Sequence, residues 1–214
     1  MFVDLHVHES SFSSDSQMTL EEIVSAARAR GLDGVCITDH DSMGLKARAE
    51  QYSREVGFPI FVGVEYYSLW GDITAWGIDD FPRERISAQK FIDHVQSQGG
   101  FCVACHPFRN NNRGLAERLR DVRGLDGIEV LNGSTSLEAN LKALTRCQEL
   151  GLIPIGASDA HWPSQLGVYA TWLPEYVDNL ADFVRVLGDG GCRPVILGPN
   201  GYRAANHPDI AVSA

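Results

Sequence analysis

Basic residues are the scarce class in this chain: 18 Lys and Arg stand against 28 Asp and Glu over 214 residues, a formal net charge of −10. Proteins that grip long nucleic acid do so through clustered Lys and Arg, so this balance argues against that partner. A small anionic substrate remains compatible, because bound divalent cations would reverse the sign locally. No apolar run approaches the roughly 20 residues that cross a bilayer. The N-terminus shows no basic-then-apolar export signal either, so a cytoplasmic protein with no membrane partner is expected. The cysteines, Cys36, Cys102, Cys105, Cys147 and Cys192, are odd in number and scattered, which argues against a disulfide framework. Cys102-Val103-Ala104-Cys105-His106 matches the c-type haem string, but haem attachment needs export and no second CxxC completes a zinc ribbon. Residues 100–105 read instead as a buried strand feeding His106 into a site. Also missing are a Gly-rich phosphate loop, a GxSxG elbow and an HExxH helix.

What is present is a pair of histidines on one strand. His6 and His8, in Val3-Asp4-Leu5-His6-Val7-His8, alternate along an extended run and so point the same way, offering two imidazoles to one metal ion. Acid and histidine groups recur at Asp39-His40, Glu65, His106 and Asp159-Ala160-His161, each near the end of an apolar, strand-like run. Asp15 lies on the loop after the first run. Buried charges need partners or a metal, so five such clusters point to a metal centre more strongly than any lone HxH.

Apolar runs alternate with helical patterns along the whole chain. Thr19 and Glu22 form a capping-box signature for a helix ending near Gly31. Further helices are expected over 45–56, 87–98, 137–150 and 179–187, the last with Asp178 as N-cap and Gly188 as stop. Strands are expected to end near His8, over 34–38, 59–64 and 73–76, and over 100–105, 127–131 and 152–157. This alternation implies parallel pairing through crossovers, with a barrel and a site at its C-terminal face. With 44% hydrophobic and 21% charged residues, one domain over 1–198 is expected, followed by an irregular tail over 199–214.

Five motifs in order resemble the PHP (polymerase and histidinol phosphatase) superfamily of metal-dependent hydrolases, in particular its short stand-alone phosphoesterases. They are Asp4-Leu5-His6-Val7-His8 with Ser13-Ser14-Asp15, Thr38-Asp39-His40, Gly63-Val64-Glu65, His106-Pro107 and Ser158-Asp159-Ala160-His161. The resemblance implies an α/β fold, a distorted (β/α)7 TIM-like barrel, with two or three divalent ions (Mn, Fe or Zn, with Mg possible) acting mostly on phosphate esters. By motif, His6 and His8 would bind one ion with Glu65 and Asp159. Asp15, His40 and His161 would hold another. A third would use Glu65, His106 and one more side chain. Relatives often carry a histidine there, whereas this chain reads Trp70-Gly71-Asp72. Asp72 is either that ligand, favouring oxygen-preferring ions, or a solvated loop acid.

The chemistry expected of such a centre is attack of a metal-bound hydroxide on phosphorus in a small phosphorylated metabolite or nucleotide. Arg109, with Arg113 behind it, is the candidate phosphate clamp, and either Asp39 or solvent would protonate the leaving group. Asp4 is either a partner orienting an imidazole or a simple strand-end acid; Glu129 and Asn132 either line the pocket or pack. His94 and His207 are read as incidental. The alternatives are hydrolysis of a non-phosphate ester or carbamate and, more remotely, a non-catalytic metal-binding domain. Sequence does not fix the substrate or the oligomeric state.

Overall fold

A computed structural model describes residues 1–205; His207 lies outside the described residues. In chain order the elements are β1 (Phe2–Val7), α1 (Leu20–Ala29), β2 (Gly34–Ile37), α2 (Lys46–Val56), β3 (Ile60–Val62), β4 (Val64–Tyr67), β5 (Asp72–Trp76) and α3 (Ala88–Ser97). They continue with β6 (Phe101–Ala104), a 3₁₀ turn (Ala116–Arg120), β7 (Gly127–Asn132), α4 (Leu137–Leu150), β8 (Ile153–Ala157), β9 (Tyr169–Trp172), α5 (Leu180–Gly188), β10 (Arg193–Gly198) and β11 (Gly201–Ala204). Local chemistry accounts for the helix ends. Thr19 accepts from the Glu22 N–H while the Glu22 carboxylate accepts from the Thr19 N–H, the reciprocal box that starts α1. Its buried face is Leu20, Ile23, Val24 and Ala27, the helical spacing of an apolar stripe. Asn179, not the expected Asp178, caps α5, because its side chain is the one in reach of the Asp182 N–H. Gly188 closes that helix as its last residue.

Hydrogen bonding forms two sheets rather than one closed barrel, in the orders β11-β10-β9-β1-β2-β3 and β4-β5-β6-β7-β8. Pairing is parallel within β1-β2-β3 and β6-β7-β8, as the alternation implies. It is antiparallel at β4-β5-β6 and through β1-β9-β10-β11; no helix lies between β4 and β5 or between β10 and β11, whereas α3 and α5 separate β5 from β6 and β9 from β10. The segment 199–214, expected to be irregular, begins by completing this last hairpin, with Gly198 paired to Gly201. The two sheets touch at single bridges, Val7 with Ala160 and His40 with Glu65, so both seams carry residues of the proposed site.

A shared core fills the space between the sheets: Val3, Leu5, Cys36, Phe61, Trp76, Phe101, Val103 and Ile155 are all buried there. From α5, Phe183 closes its far end, stacked on Phe61 at 4.3 Å and edge-on to Trp76 at 6.2 Å. Separate apolar layers lie under α1 and α2 and under α3 and α4. No described helix is long and apolar enough to cross a membrane.

The chain passes from one sheet to the other at Gly63, where the expected strand 59–64 breaks into β3 and β4. A Cβ there would sit 2.3 Å from the Ala75 carbonyl oxygen and 2.5 Å from the Trp76 ring. Both neighbours are buried, one of them backbone, so neither yields cheaply. Gly63→Ala is therefore expected to cost about 3 kcal/mol, the upper range for overpacking, with a matching fall in the denaturant midpoint; an unchanged midpoint would show that the crossing point is not tightly packed.

Candidate metal centre

Strand irregularities decide which side chains reach the site. Along β1 the register to β2 shifts between Asp4 and Val7, and Leu5 and Val7, although two apart, join different core clusters. The extra residue breaks the alternation ahead of His6, so Asp4 does not share the face of His6 and His8. Its carboxylate accepts instead from the Ser158 N–H at 2.9 Å, the Ser158 hydroxyl at 2.5 Å and the Gly167 N–H at 2.8 Å. Asp4 thus ties the loop that carries Asp159 and touches no imidazole. A second shift, in β7 between Glu129 and Leu131, brings Glu129 and Asn132 onto one face, where the Asn132 amide donates to Glu129 at 2.8 Å. Both reach the site rather than packing elsewhere.

The hydrogen-bond network orients the two leading histidines. His6 Nδ1 lies 2.7 Å from the Glu129 carboxylate, an acceptor, so it carries the proton. His8 Nδ1 lies 3.1 Å from Ser13 Oγ, whose own proton goes to Asp39 at 2.8 Å; this nitrogen too must donate. Both Nε2 lone pairs then face each other at 3.0 Å, with Glu65 Oε2 3.5 Å from each. Asp159 Oδ1 stands 3.6 Å from His6 Nε2 and 3.3 Å from His8 Nε2. Two lone pairs and two carboxylate oxygens aimed at one buried point repel unless positive charge sits among them. In the protein alone that charge is a proton. Burial would lower the His6 pKa, but Glu129, Asp159 and Glu65 raise it well above the usual value, whereas burial takes His8 down to about 4.

The remaining predicted residues surround this pair. Asp15 Oδ2 bridges His40 Nε2 at 3.2 Å and His161 Nε2 at 3.3 Å, and the His161 Nδ1–H donates to the Asp159 carbonyl at 3.0 Å. The rings of His40 and His161 flank that of His8, with centroids 4.3 and 4.2 Å away. Glu65 Oε2 comes within 2.7 Å of His40 Nδ1 yet out of line for a hydrogen bond, leaving both buried atoms without a partner. His106 Nε2 meets Glu65 Oε1 at 2.9 Å and lies 3.9 Å from Asp72 Oδ2. Asp72 is buried, not a solvated loop acid; burial with Glu65 alongside pushes its pKa up to about 7. Donor atoms of His6–His8–Asp159, of His8–His40–His161 and of Glu65–Asp72–His106 each fall within 4.8 Å of one another. These orphaned polar atoms and mixed nitrogen–oxygen donor sets fit divalent cations.

Above the histidine pair opens a cavity of about 230 Å³ whose lining includes Asp15, His40, Glu65, Asp72, Arg109, Arg113, Asp159 and His161. Four carboxylates there face two guanidiniums. Arg109 reaches the cavity, but its Nη2 is taken by Asp159 Oδ2 and by Asn132 at 2.9 Å, and its Nε by Thr135 at 3.2 Å. Asp39, expected as a proton source, does not line the cavity. It lies behind Ser13, accepting from the Glu9 N–H at 2.7 Å, and acts on His8 through the serine. Ser13 had only its place in a motif to mark it, and its contacts to residues 39 and 40 are invisible locally. His106 and Asp159 hold left-handed backbone, φ 33° and 54°, a costly conformation for side chains other than glycine. Cys105, next to His106, is buried with its thiol 3.6 Å from Glu65 Oε1 and its pKa pushed well up, so Cys102 and Cys105 are separate buried thiols and not a redox pair. His94 bonds Asp80 and Gln98, away from the centre.

A PHP-domain model matches residues 4–106 and a PHP-associated model residues 138–192. An uncharacterized protein of Methanocaldococcus jannaschii is 28% identical over 62% of this chain and 82% of its own length. A 3',5'-nucleoside bisphosphate phosphatase of Chromobacterium violaceum is 37% identical over 36% of this chain and 28% of its own. A 5'-3' exoribonuclease of Haemophilus influenzae is 36% identical over 31% of this chain and 24% of its own. The chain thus spans about a quarter of the relatives with named activities, and one of them acts on RNA, so acidity alone does not exclude a nucleic-acid substrate. A structure from Bifidobacterium adolescentis, provisionally assigned as a metal-dependent phosphoesterase, superposes with TM-score 0.65 at 21% identity, covering 87% of this chain and 96% of that one.

Two outcomes follow from the orienting bonds. Ser13→Ala frees the His8 ring and should weaken divalent-ion affinity about 10- to 100-fold, as loss of a ligand's orienting partner does, with the fold intact; chelator competition reads it, and unchanged affinity would remove the relay. Without metal, burial would lower the His40 pKa, but Glu65 and Asp15 raise it to about 9. A raised folded pKa stabilises fully below the ordinary histidine value and is lost as pH climbs through 9. Chelated protein should therefore lose stability between pH 6.5 and 9, and His40→Gln should flatten that part of the curve.

Proposed function

Because this chain belongs to the PHP superfamily and is a hydrolase, we propose that it is a metal-dependent phosphoesterase acting on a small phosphorylated compound. The observation that carries this reading is the convergence of the His6 and His8 lone pairs with Glu65 and Asp159 on one buried point beneath a cavity of about 230 Å³. Divalent cations supply two things in such a place: an acidified water near neutral pH and neutralisation of phosphoryl oxygens.

The chain's own residues do the rest. His6 is held by Glu129 and His8 by Ser13, so both present Nε2 to a cation. Asp159 serves the same point through Oδ1 while Arg109 and Asn132 hold its Oδ2. Asp15, His40 and His161 make a second set at the cavity wall. Arg109 orients Asp159 and lends positive charge to the side of the cavity a phosphoryl group would enter. The cavity is smaller than the ~300–1,000 Å³ typical of small-molecule sites, which favours a phosphate with the rest of the ester lying outside. The leaving alkoxide takes its proton from solvent, since Asp39 is screened by Ser13. In this reading the two sheets are the halves of the distorted (β/α)7 barrel of the family, opened along the seams at residues 7 and 40.

Metal-stripped protein reloaded separately with Mn²⁺, Fe²⁺ and Zn²⁺ is expected to hydrolyse phosphomonoesters or nucleoside bisphosphates and not aryl carbamates. Absence of phosphoester turnover with every ion overturns the proposal. Asp159→Ala should remove both bound metal and turnover, whereas Asp39→Asn, which reaches His8 through Ser13, should lower metal affinity and leave kcat at saturating metal within about tenfold, the low end of an orienting partner's effect.

A further inference from the structure

Several donor clusters meet at the centre, and two guanidiniums reach it, each through one carboxylate. Arg109 binds Asp159 Oδ2, leaving Oδ1 as the oxygen that faces His8 at 3.3 Å and His6 at 3.6 Å. That contact leaves Oδ1 free, although Oδ2 itself stands 4.0 Å from His106 Nε2. Arg113 takes the Asp72 oxygen on the His106 side. Its Nε lies 2.6 Å from Asp72 Oδ2, and Oδ2 is the oxygen 3.9 Å from His106 Nε2. The guanidinium therefore places a fixed positive charge on the Asp72 oxygen nearest His106, while Oδ1 stays buried without a partner.

Arg113 is also fixed at more than its tip. The Asp72 N–H donates to the Arg113 carbonyl at 2.6 Å, so backbone and side chain bracket the same acid. The Arg113 guanidinium carbon lies 4.1 Å from the centroid of the Tyr67 ring, a cation–π contact that holds its plane. Gly71 and Gly114 let the two segments come this close: a Cβ on Gly71 would lie 2.7 Å from the Gly114 carbonyl carbon. Carboxylate and ring together hold this charge in place, and a divalent ion sharing its oxygen would meet a like charge at close range.

We propose that Arg113 is the built-in cation of the Glu65–Asp72–His106 position, so that this chain takes two divalent ions and uses a guanidinium where a third would lie. The proposal rests on the reading of the centre as a metallohydrolase site but concerns occupancy rather than turnover. The decisive measurement is anomalous diffraction from the full chain loaded with Mn²⁺, with metal content by mass spectrometry. Wild type should show two ions, Arg113 still on Asp72, and no peak between Glu65, Asp72 and His106; an ion at that position overturns the proposal. Arg113→Met, which keeps the stem and removes the charge, should gain a third ion, while Arg113→Lys should stay at two. A folded Arg113→Met protein that still holds two also overturns it. A chain that binds two ions as described but cleaves no phosphoester would sink the functional reading and leave this one standing.

Discussion

Everything at the mouth of this fold follows from two imidazole lone pairs facing each other at 3.0 Å inside a ring of carboxylates. Such a contact is repulsive between neutral rings, and the hydrogen bonds from Glu129 and Ser13 prevent either ring from turning away. Positive charge is the one thing that makes the arrangement stable, and the surrounding structure is organised to demand it. Burial would push the Asp159 and Glu65 pKa values up. The histidines around both, with Arg109 beside Asp159, hold them well below the usual carboxylate range instead, so the acids stay charged although they are buried.

The same demand explains the irregular features. Regular strands would send Leu5 with Val7 and Glu129 with Leu131; the register shifts in β1 and β7 instead deliver His6 beside Leu5 and Glu129 beside Asn132. The sheets separate at Gly63 and rejoin through single bridges at the residues that carry His40, Glu65 and Ala160. An apolar core lies directly beneath, so the polar residues are confined to one end and are held by each other. Arg109 and Arg113 complete the arrangement from one loop, each neutralising a carboxylate of a different cluster.

The grouping of the candidate residues was largely legible in the sequence because they stand at the ends of apolar runs, and a parallel strand presents its C-terminal end to one side. His6, His8, His40, Glu65, His106 and Asp159 all converge, and helices α1, α3 and α4 fall within a residue or two of their expected spans. What was illegible depended on distant partners or on one-residue slips. Period-2 reasoning put Asp4 with His6, and a bulge that no local residue announces undid it. Asp178 and Asn179 carry equal capping chemistry, and only the chain path chooses. Strands β9 to β11 pair antiparallel with no helix between β10 and β11, so a scan for strand–helix alternation passes over them. The hold of Glu129 on His6 spans 123 residues of sequence, and that of Arg113 on Asp72 spans 41.

The left-handed backbone at His106 and Asp159 sets stability against chemistry at two named positions. An algorithm or a selection that rewards only a higher melting temperature would favour glycine or asparagine at both, since each relieves the φ penalty that a larger side chain carries there. Either replacement would remove a donor, the imidazole at 106 or the carboxylate at 159, from the candidate centre. Among variants of this chain, added robustness that comes with a change at 106 or 159 would therefore reflect relief of the backbone at the expense of a donor group, not a better-packed core.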